Sequence, residues 1–248
     1  MPRHKLKHAP LQEVIFELFW KLPLDESGFP FDPGFELAQG VFASRIKKFF
    51  PLRKRTFPED INLRIYPKPI HQFWKGELTW PVVQLGPGIL TVNDTDANYV
   101  WKGNFQKNIK TAVQILRQSY SSGLHLERIR LQYIDAVEFN PDEETAIAFI
   151  DRNLNTGLQN RYRVPGKSRG VHIAQVFELP KDSRLMLNIQ SGKHNKTGQP
   201  AIIWTTAVEK SKGLNFDNLN PWLKFAHRVT SNTFVNMLNP EFYASFDR

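Results

Sequence analysis

The chain of 248 residues contains no cysteine. Disulfides, thiol nucleophiles and any metal site built on thiolates are therefore excluded. No apolar run approaches the ~20 residues that a membrane-spanning helix needs. The opening residues, Met1 to His8, are basic but lack the apolar segment of a secretion signal. A cytoplasmic protein without membrane contact is the expectation.

The usual catalytic signatures are also missing. No Gly-x-Ser-x-Gly elbow is present. Gly166-Lys167-Ser168 resembles the end of a phosphate-binding loop, but the glycine required five positions earlier is Arg161, and a strand rather than a helix is expected to follow. Asp94-Thr95-Asp96 resembles the start of a calcium loop, yet position six is Tyr99 instead of Gly and position twelve is Phe105 instead of Glu. Helix capping accounts for these residues better. His4 and His8 are four residues apart, in a terminal arm; His71, His125, His172, His194 and His227 are dispersed, without metal-ligand spacing. Asp135 and Glu138 lie late in one expected strand and Glu178 near the end of another, and no carboxylate spacing matches that of a metal-dependent nuclease. The sequence thus nominates no catalytic residue, metal or cofactor. An active site assembled from residues distant in sequence stays open as the alternative.

What is present is a folded, basic chain. Apolar residues make up 41% and aromatic residues 12%, including 19 Phe, enough to bury a sizeable core. The formal net charge is +9. Residues 1–124 carry 17 Lys and Arg against 11 Asp and Glu, and residues 125–248 carry 16 against 13, so the excess is shared. It suits an acidic partner, and equally suits solubility.

The pattern of elements is stated twice. In residues 1–124, Val14, Phe16 and Leu18 alternate on a strand. Phe35, Ala38, Phe42, Ile46 and Phe49 then recur at helical steps, with Pro51 as the stop. Strands are predicted at 62–66, 71–78, 82–85 and 89–93, the last two flanking Gly86-Pro87-Gly88. A closing helix carries Phe105, Ile109, Ala112, Val113, Leu116 and Tyr120. In residues 125–248, Ile129, Leu131 and Tyr133 share one strand face; Asp135 falls on the same face, which predicts a bulge or an end there. An acidic helix start follows at Pro141-Asp142-Glu143-Glu144, with Ala146, Phe149, Ile150 and Leu154 facing the core. Strands are predicted at 170–179, 183–190 and 201–208, and a last helix over 220–237 buries Trp222, Phe225, Ala226, Val229, Thr233 and Met237. The expected fold is α+β: two similar β-α-β(n)-α halves, 1–124 and 125–248, each an antiparallel sheet with helices on one face. A duplication similar to the TATA-binding-protein fold is the predicted topology.

Three basic clusters are the candidate binding residues. The first is the arm Arg3, Lys5 and Lys7 with His4 and His8. The second is Arg45, Lys47 and Lys48 followed by Arg53, Lys54 and Arg55, at and just beyond the end of the first helix. The third is Arg161, Arg163, Lys167 and Arg169 around Tyr162, in a long loop. Such cations can neutralise phosphates, and Tyr162 can stack on a base. The competing account is a solvated loop or, for the second cluster, cations complementing a helix C-terminus.

Four segments carry a resemblance. They are Ala9 to Val14, Val83 to Asn93 before Tyr99 and Trp101, Leu131 to Asp135, and Phe234 to Leu238 with Pro240. Together they are similar to a sporadically distributed family of uncharacterised bacterial proteins of similar length. Members often carry Arg-Tyr-Ile-Asn where this chain has Gln132-Tyr133-Ile134-Asp135. The patchy distribution implies a place in defence or toxin–antitoxin-like loci. The expected function is therefore a non-enzymatic binding or accessory component that contacts a protein partner encoded nearby, or a nucleic acid, through basic loops. The alternative is a nuclease or nucleotide-processing enzyme with its site between the halves. The oligomeric state is not legible.

Overall fold

A computed structural model describes residues 6–57, 67–95, 97, 99–158, 165, 166, 168 and 170–247. The strand expected at 62–66 lies outside them. The described residues form nine strands in one sheet of order β2-β3-β4-β5-β1-β6-β9-β8-β7. In chain order these are β1 (Leu11–Trp20), β2 (Leu52–Arg55), β3 (His71–Trp74), β4 (Val82–Gly86), β5 (Ile89–Asp94), β6 (Leu126–Glu138), β7 (His172–Leu179), β8 (Ser183–Lys193) and β9 (Pro200–Lys210). Five α-helices accompany them: α1 (Phe35–Ile46), α2 (Gln106–Ser119), α3 (Ala146–Asn153), α4 (Leu219–Met237) and α5 (Pro240–Ser245). The fold is mixed α+β with antiparallel strand pairing, as expected. No helix among the described residues is long and apolar enough to cross a membrane. The chain divides into two compact units: Val14–Leu131 with Glu209–Leu223, and Met1–Glu13 with Gln132–Val208 and Lys224–Arg248.

In the first of these units, α1 packs against α2 and α2 against β5. Phe35, Ala38, Phe42 and Ile46 are buried, as their spacing predicts. Phe49 is not; it is half-exposed, and Phe50 takes the core position. The reason is local: α1 ends at Ile46, whose carbonyl accepts from both Phe49 N and Phe50 N. That tight turn rotates the chain by one residue before Pro51. The β4–β5 hairpin turns through Pro87-Gly88, with Gly86 paired to Ile89. Gly88 has φ +73°, the left-handed position that a type II turn gives to glycine after proline. Gly86 is required for another reason: a Cβ there would lie 2.0 Å from the Lys68 carbonyl oxygen. The helix expected to be capped by Asp94-Thr95-Asp96 starts later. Asp94 is buried in β5, and a π-helical turn, Trp101–Phe105, leads into α2. Asp32 ties this unit together. Its carboxylate accepts from Trp20 Nε1 at 3.0 Å, Tyr120 Oη at 2.8 Å and Gly34 N at 3.2 Å.

In the second unit, Ala146, Phe149, Ile150 and Leu154 of α3 pack with Leu187, Ile189, Ile202, Trp204, Met237, Leu238 and Phe246. The acidic segment 142–144 precedes the helix, with 141–143 in a turn; Thr145 caps α3 by accepting from Ala148 N. The helix α5 has six residues, too few to carry a periodic signal, and is capped by Asn239, which accepts from Phe242 N at 2.7 Å. β6 does not end at Asp135. It continues to Glu138, and Asp135 is buried on the apolar face at 4% exposure. Burial pushes its carboxyl up to about 8, against a weaker opposing pull from the Trp204 indole N–H. Asp135 is thus neutral at neutral pH, which is how an acid is accommodated among apolar side chains.

Candidate binding surface on a basic edge strand

Of the predicted site residues, Arg161, Tyr162, Arg163, Lys167 and Arg169 lie outside the described residues, as do Arg3, His4 and Lys5. Arg53, Lys54 and Arg55 are described, and they lie on a strand rather than in a loop. β2 pairs antiparallel with β3, setting Arg53 opposite Phe73, Lys54 opposite Gln72 and Arg55 opposite His71. Nothing in Leu-Arg-Lys-Arg alternates between apolar and polar, so local pattern did not mark it. The buried strand β3 supplies the hydrogen-bonding partner that makes β2 extended. All four β2 residues are exposed, at one end of the strand order.

Alternation places Arg53 and Arg55 on one face of β2, with Leu52 and Lys54 on the other. The Arg53 face looks toward α1, because Arg53 Nη2 donates to Gln39 Oε1 at 3.3 Å. The same nitrogen lies 3.2 Å from His71 Nδ1 and 3.1 Å from Nε2. His71 Nε2 is 2.5 Å from Gln39 Oε1. An amide oxygen only accepts, so the Nε2 that meets it carries the imidazole proton. His71 is buried and stacks on Phe35 at 13° between planes. Burial, reinforced by the positive charges of Arg53 and Arg55, lowers its pKa to about 4. The imidazole is therefore neutral and lies against Arg53 without adding charge.

Further cations and exposed apolar residues occur on α1, after it and on the other face of β2. Arg45, Lys47 and Lys48 follow from the end of α1, and Leu37, Val41, Phe49 and Leu52 are exposed. Arg45 is engaged with Gln118 of α2. Three arginines elsewhere in this unit, Arg117, Arg128 and Arg130, are paired with carboxylates. Arg130 bonds Glu17 at 2.6 Å. Arg128 lies 4.0 Å above the Phe19 ring and 3.5 Å from Glu209. A surface depression of about 450 Å³ is lined by Lys21, Arg117 and His125, but Arg117 pairs with Asp217 at 3.5 Å. Among the described residues, no three or more His, Asp or Glu side chains are grouped to hold a metal ion.

The charge of Arg53-Lys54-Arg55 was readable in the sequence; its support was not. Gln39 is 14 residues from Arg53 and His71 is 18 residues away, and neither carries a motif. No protein-family model, curated protein or solved structure matches the chain.

Proposed function

We propose that the protein is a non-enzymatic binding component that contacts an acidic partner, nucleic acid or protein, through β2 and the surface around it. The observation that carries this reading is the exposed Arg53 guanidinium, held by Gln39 and a neutral, buried His71. A guanidinium presents a planar fork that matches phosphate and carboxylate oxygens. Fixing it before binding removes part of the ordering cost that a free arginine meets on contact. The segment with Arg161, Tyr162, Arg163, Lys167 and Arg169 belongs to the same proposal as a second basic contact, and a place in bacterial defence or toxin–antitoxin-like systems follows from the family resemblance.

The duplicated topology similar to the TATA-binding-protein fold is likewise a proposal. The strand order supports it. Outward from β1 run β5, β4, β3 and β2; outward from β6 run β9, β8 and β7. In both series the first strand of the half is innermost, its last strand lies beside it, and the others follow in descending order.

The test is fluorescence anisotropy with two probes, a labelled oligonucleotide and a labelled polyglutamate, over a salt series. The wild-type chain should bind at least one probe at low salt. Replacing Arg53, Lys54 and Arg55 together by Ala should weaken that binding and, on duplex DNA, reduce the slope of log K against log salt by about 3. Absence of binding to both probes at low salt, or an unchanged slope in the triple variant, would refute the proposal.

A further inference from the structure

The two ends of the strand order are treated in opposite ways. β2 is short and carries three consecutive cations, which discourage pairing with another chain. β7 is eight residues long, His-Ile-Ala-Gln-Val-Phe-Glu-Leu, with one carboxylate and no lysine or arginine. Six of its residues are exposed; Val176 is 62% and Phe177 43% exposed, on opposite faces of the strand. β7 pairs with β8 only, and no strand among the described residues lies on its other side.

The hydrogen-bond phase of β7 decides which of its backbone groups face outward. Ser191 N donates to the Val171 carbonyl at 3.0 Å, in register with the β7–β8 pairs. Residues of odd number therefore bond β8, and the backbone groups of His172, Ala174, Val176 and Glu178 point away from the sheet. A second antiparallel strand can bond only these four positions. If that strand is another copy of β7, the pairing must be symmetric about one residue, and hydrogen-bonded pairs must join even positions to even positions. Any residue of the strand can be that centre, but only Ala174, Gln175 and Val176, nearest its middle, leave at most one of the four outward positions unpaired. Centring on Ala174 sets Glu178 opposite Gly170, beyond the end of the strand. Centring on Val176 sets His172 opposite Pro180, which has no N–H to give. Centring on Gln175 uses all four positions: His172 opposite Glu178 and Ala174 opposite Val176, each twice. The side chains agree with the backbone. In that register Ile173 faces Phe177, Val171 faces Leu179, and Gln175 faces itself. The imidazole of His172 meets the one carboxylate of the strand, and every other off-centre pair is apolar against apolar. The segment Val171–Leu179 thus reads as a palindrome of chemical type about Gln175.

We infer that β7 is a self-association edge, on which a second copy of this chain adds its own β7 antiparallel, with the two-fold axis at Gln175. The bond set is main-chain pairing of the kind by which extended segments add to sheet edges. The apolar area exposed by Val176 and Phe177 is covered by Ala174 and Ile173 of the second copy. This interface is separate from β2 and does not depend on what β2 binds.

The absence of cysteine makes the register directly testable. Single variants Ala174→Cys, Gln175→Cys, Val176→Cys and Glu178→Cys are oxidised under identical conditions, and covalent dimer is read on a non-reducing gel. At the axis of a non-hydrogen-bonded pair the Cα atoms are about 4.5 Å apart, within disulfide reach. At position 178 the two copies are roughly 20 Å apart by strand rise, out of reach. Covalent dimer should form at least tenfold faster at 175 than at 178, as reach dictates. In parallel, sedimentation across a concentration series compares the wild-type chain with Ala174→Pro. That substitution removes an outward N–H without touching a β7–β8 bond, so the far-ultraviolet dichroism should be retained while dimer is lost. A wild-type chain that sediments as a monomer at all concentrations, or crosslinking that is fastest at 174, 176 or 178 or equal at all four positions, overturns the inference.

Discussion

Replacing Asp135 with asparagine should stabilise the protein at neutral pH and leave it unchanged in acid. Asp135 is 4% exposed, and burial raises its carboxyl from 3.8 to about 8. In the unfolded chain the same group ionises near its ordinary value. Between those two limits the folded state binds the extra proton, so stability is fully present below the lower value and is lost as pH rises toward the upper one. Each pH unit in the window is worth about 1.4 kcal/mol, so the loss approaches about 4 kcal/mol at pH 7 and about 6 kcal/mol at pH 8 and above as a ceiling. Asparagine has nearly the same shape and no charge to desolvate. The unfolding free energies of the two proteins, from urea titrations followed by dichroism, should therefore coincide near pH 4 and diverge with pH, the variant becoming the more stable. Every other titrating group is common to both, so the difference isolates Asp135. A difference that stays flat from pH 4 to pH 8 would refute the reasoning.

Two further expectations concern side chains of the unit that holds the basic strand. Replacing Asp32 with Ala strips the acceptor shared by Trp20, Tyr120 and Gly34 and should cost about 2–3 kcal/mol in thermal or urea unfolding. The Tyr120 phenol, held well above its usual value by burial and then by Asp32, should ionise at lower pH in that variant, read by ultraviolet difference absorbance. In Arg53→Ala the His71 imidazole should titrate above its present value of about 4, because one of the charges lowering it is gone; proton NMR of the ring would show an unchanged midpoint if the two side chains are uncoupled.

The helix faces were legible because a 3.6-residue period repeats over several turns. All six expected core positions of the segment leading through α2 are buried, from Phe105 to Tyr120. The β4–β5 hairpin was marked by its glycines and proline, whose backbone preferences act within a few residues. Elements too short to repeat a period were missed: α5 has six residues and β2 has four. The end of α1 was misplaced because Phe49 and Phe50 are equally apolar, and only the hydrogen bonding of the final turn selects which one enters the core.

By itself, then, the sequence determined the class of fold, the buried faces of α2 and α3, the lack of thiol chemistry and the position of its positive charge. These depend on residue type and local spacing. On α4, Val229 and Thr233 were expected in the core, where Leu223 and Thr230 are buried instead. Tertiary structure alone decided that Arg53-Lys54-Arg55 is a strand, since β3 supplies the missing hydrogen bonds, and that Arg53 is oriented, since Gln39 and His71 come from α1 and β3. It alone decided that Asp135 is an uncharged acid, because a pKa depends on the solvent removed around it. It also decided which backbone groups of β7 face outward, a matter of hydrogen-bond phase that no side-chain pattern encodes.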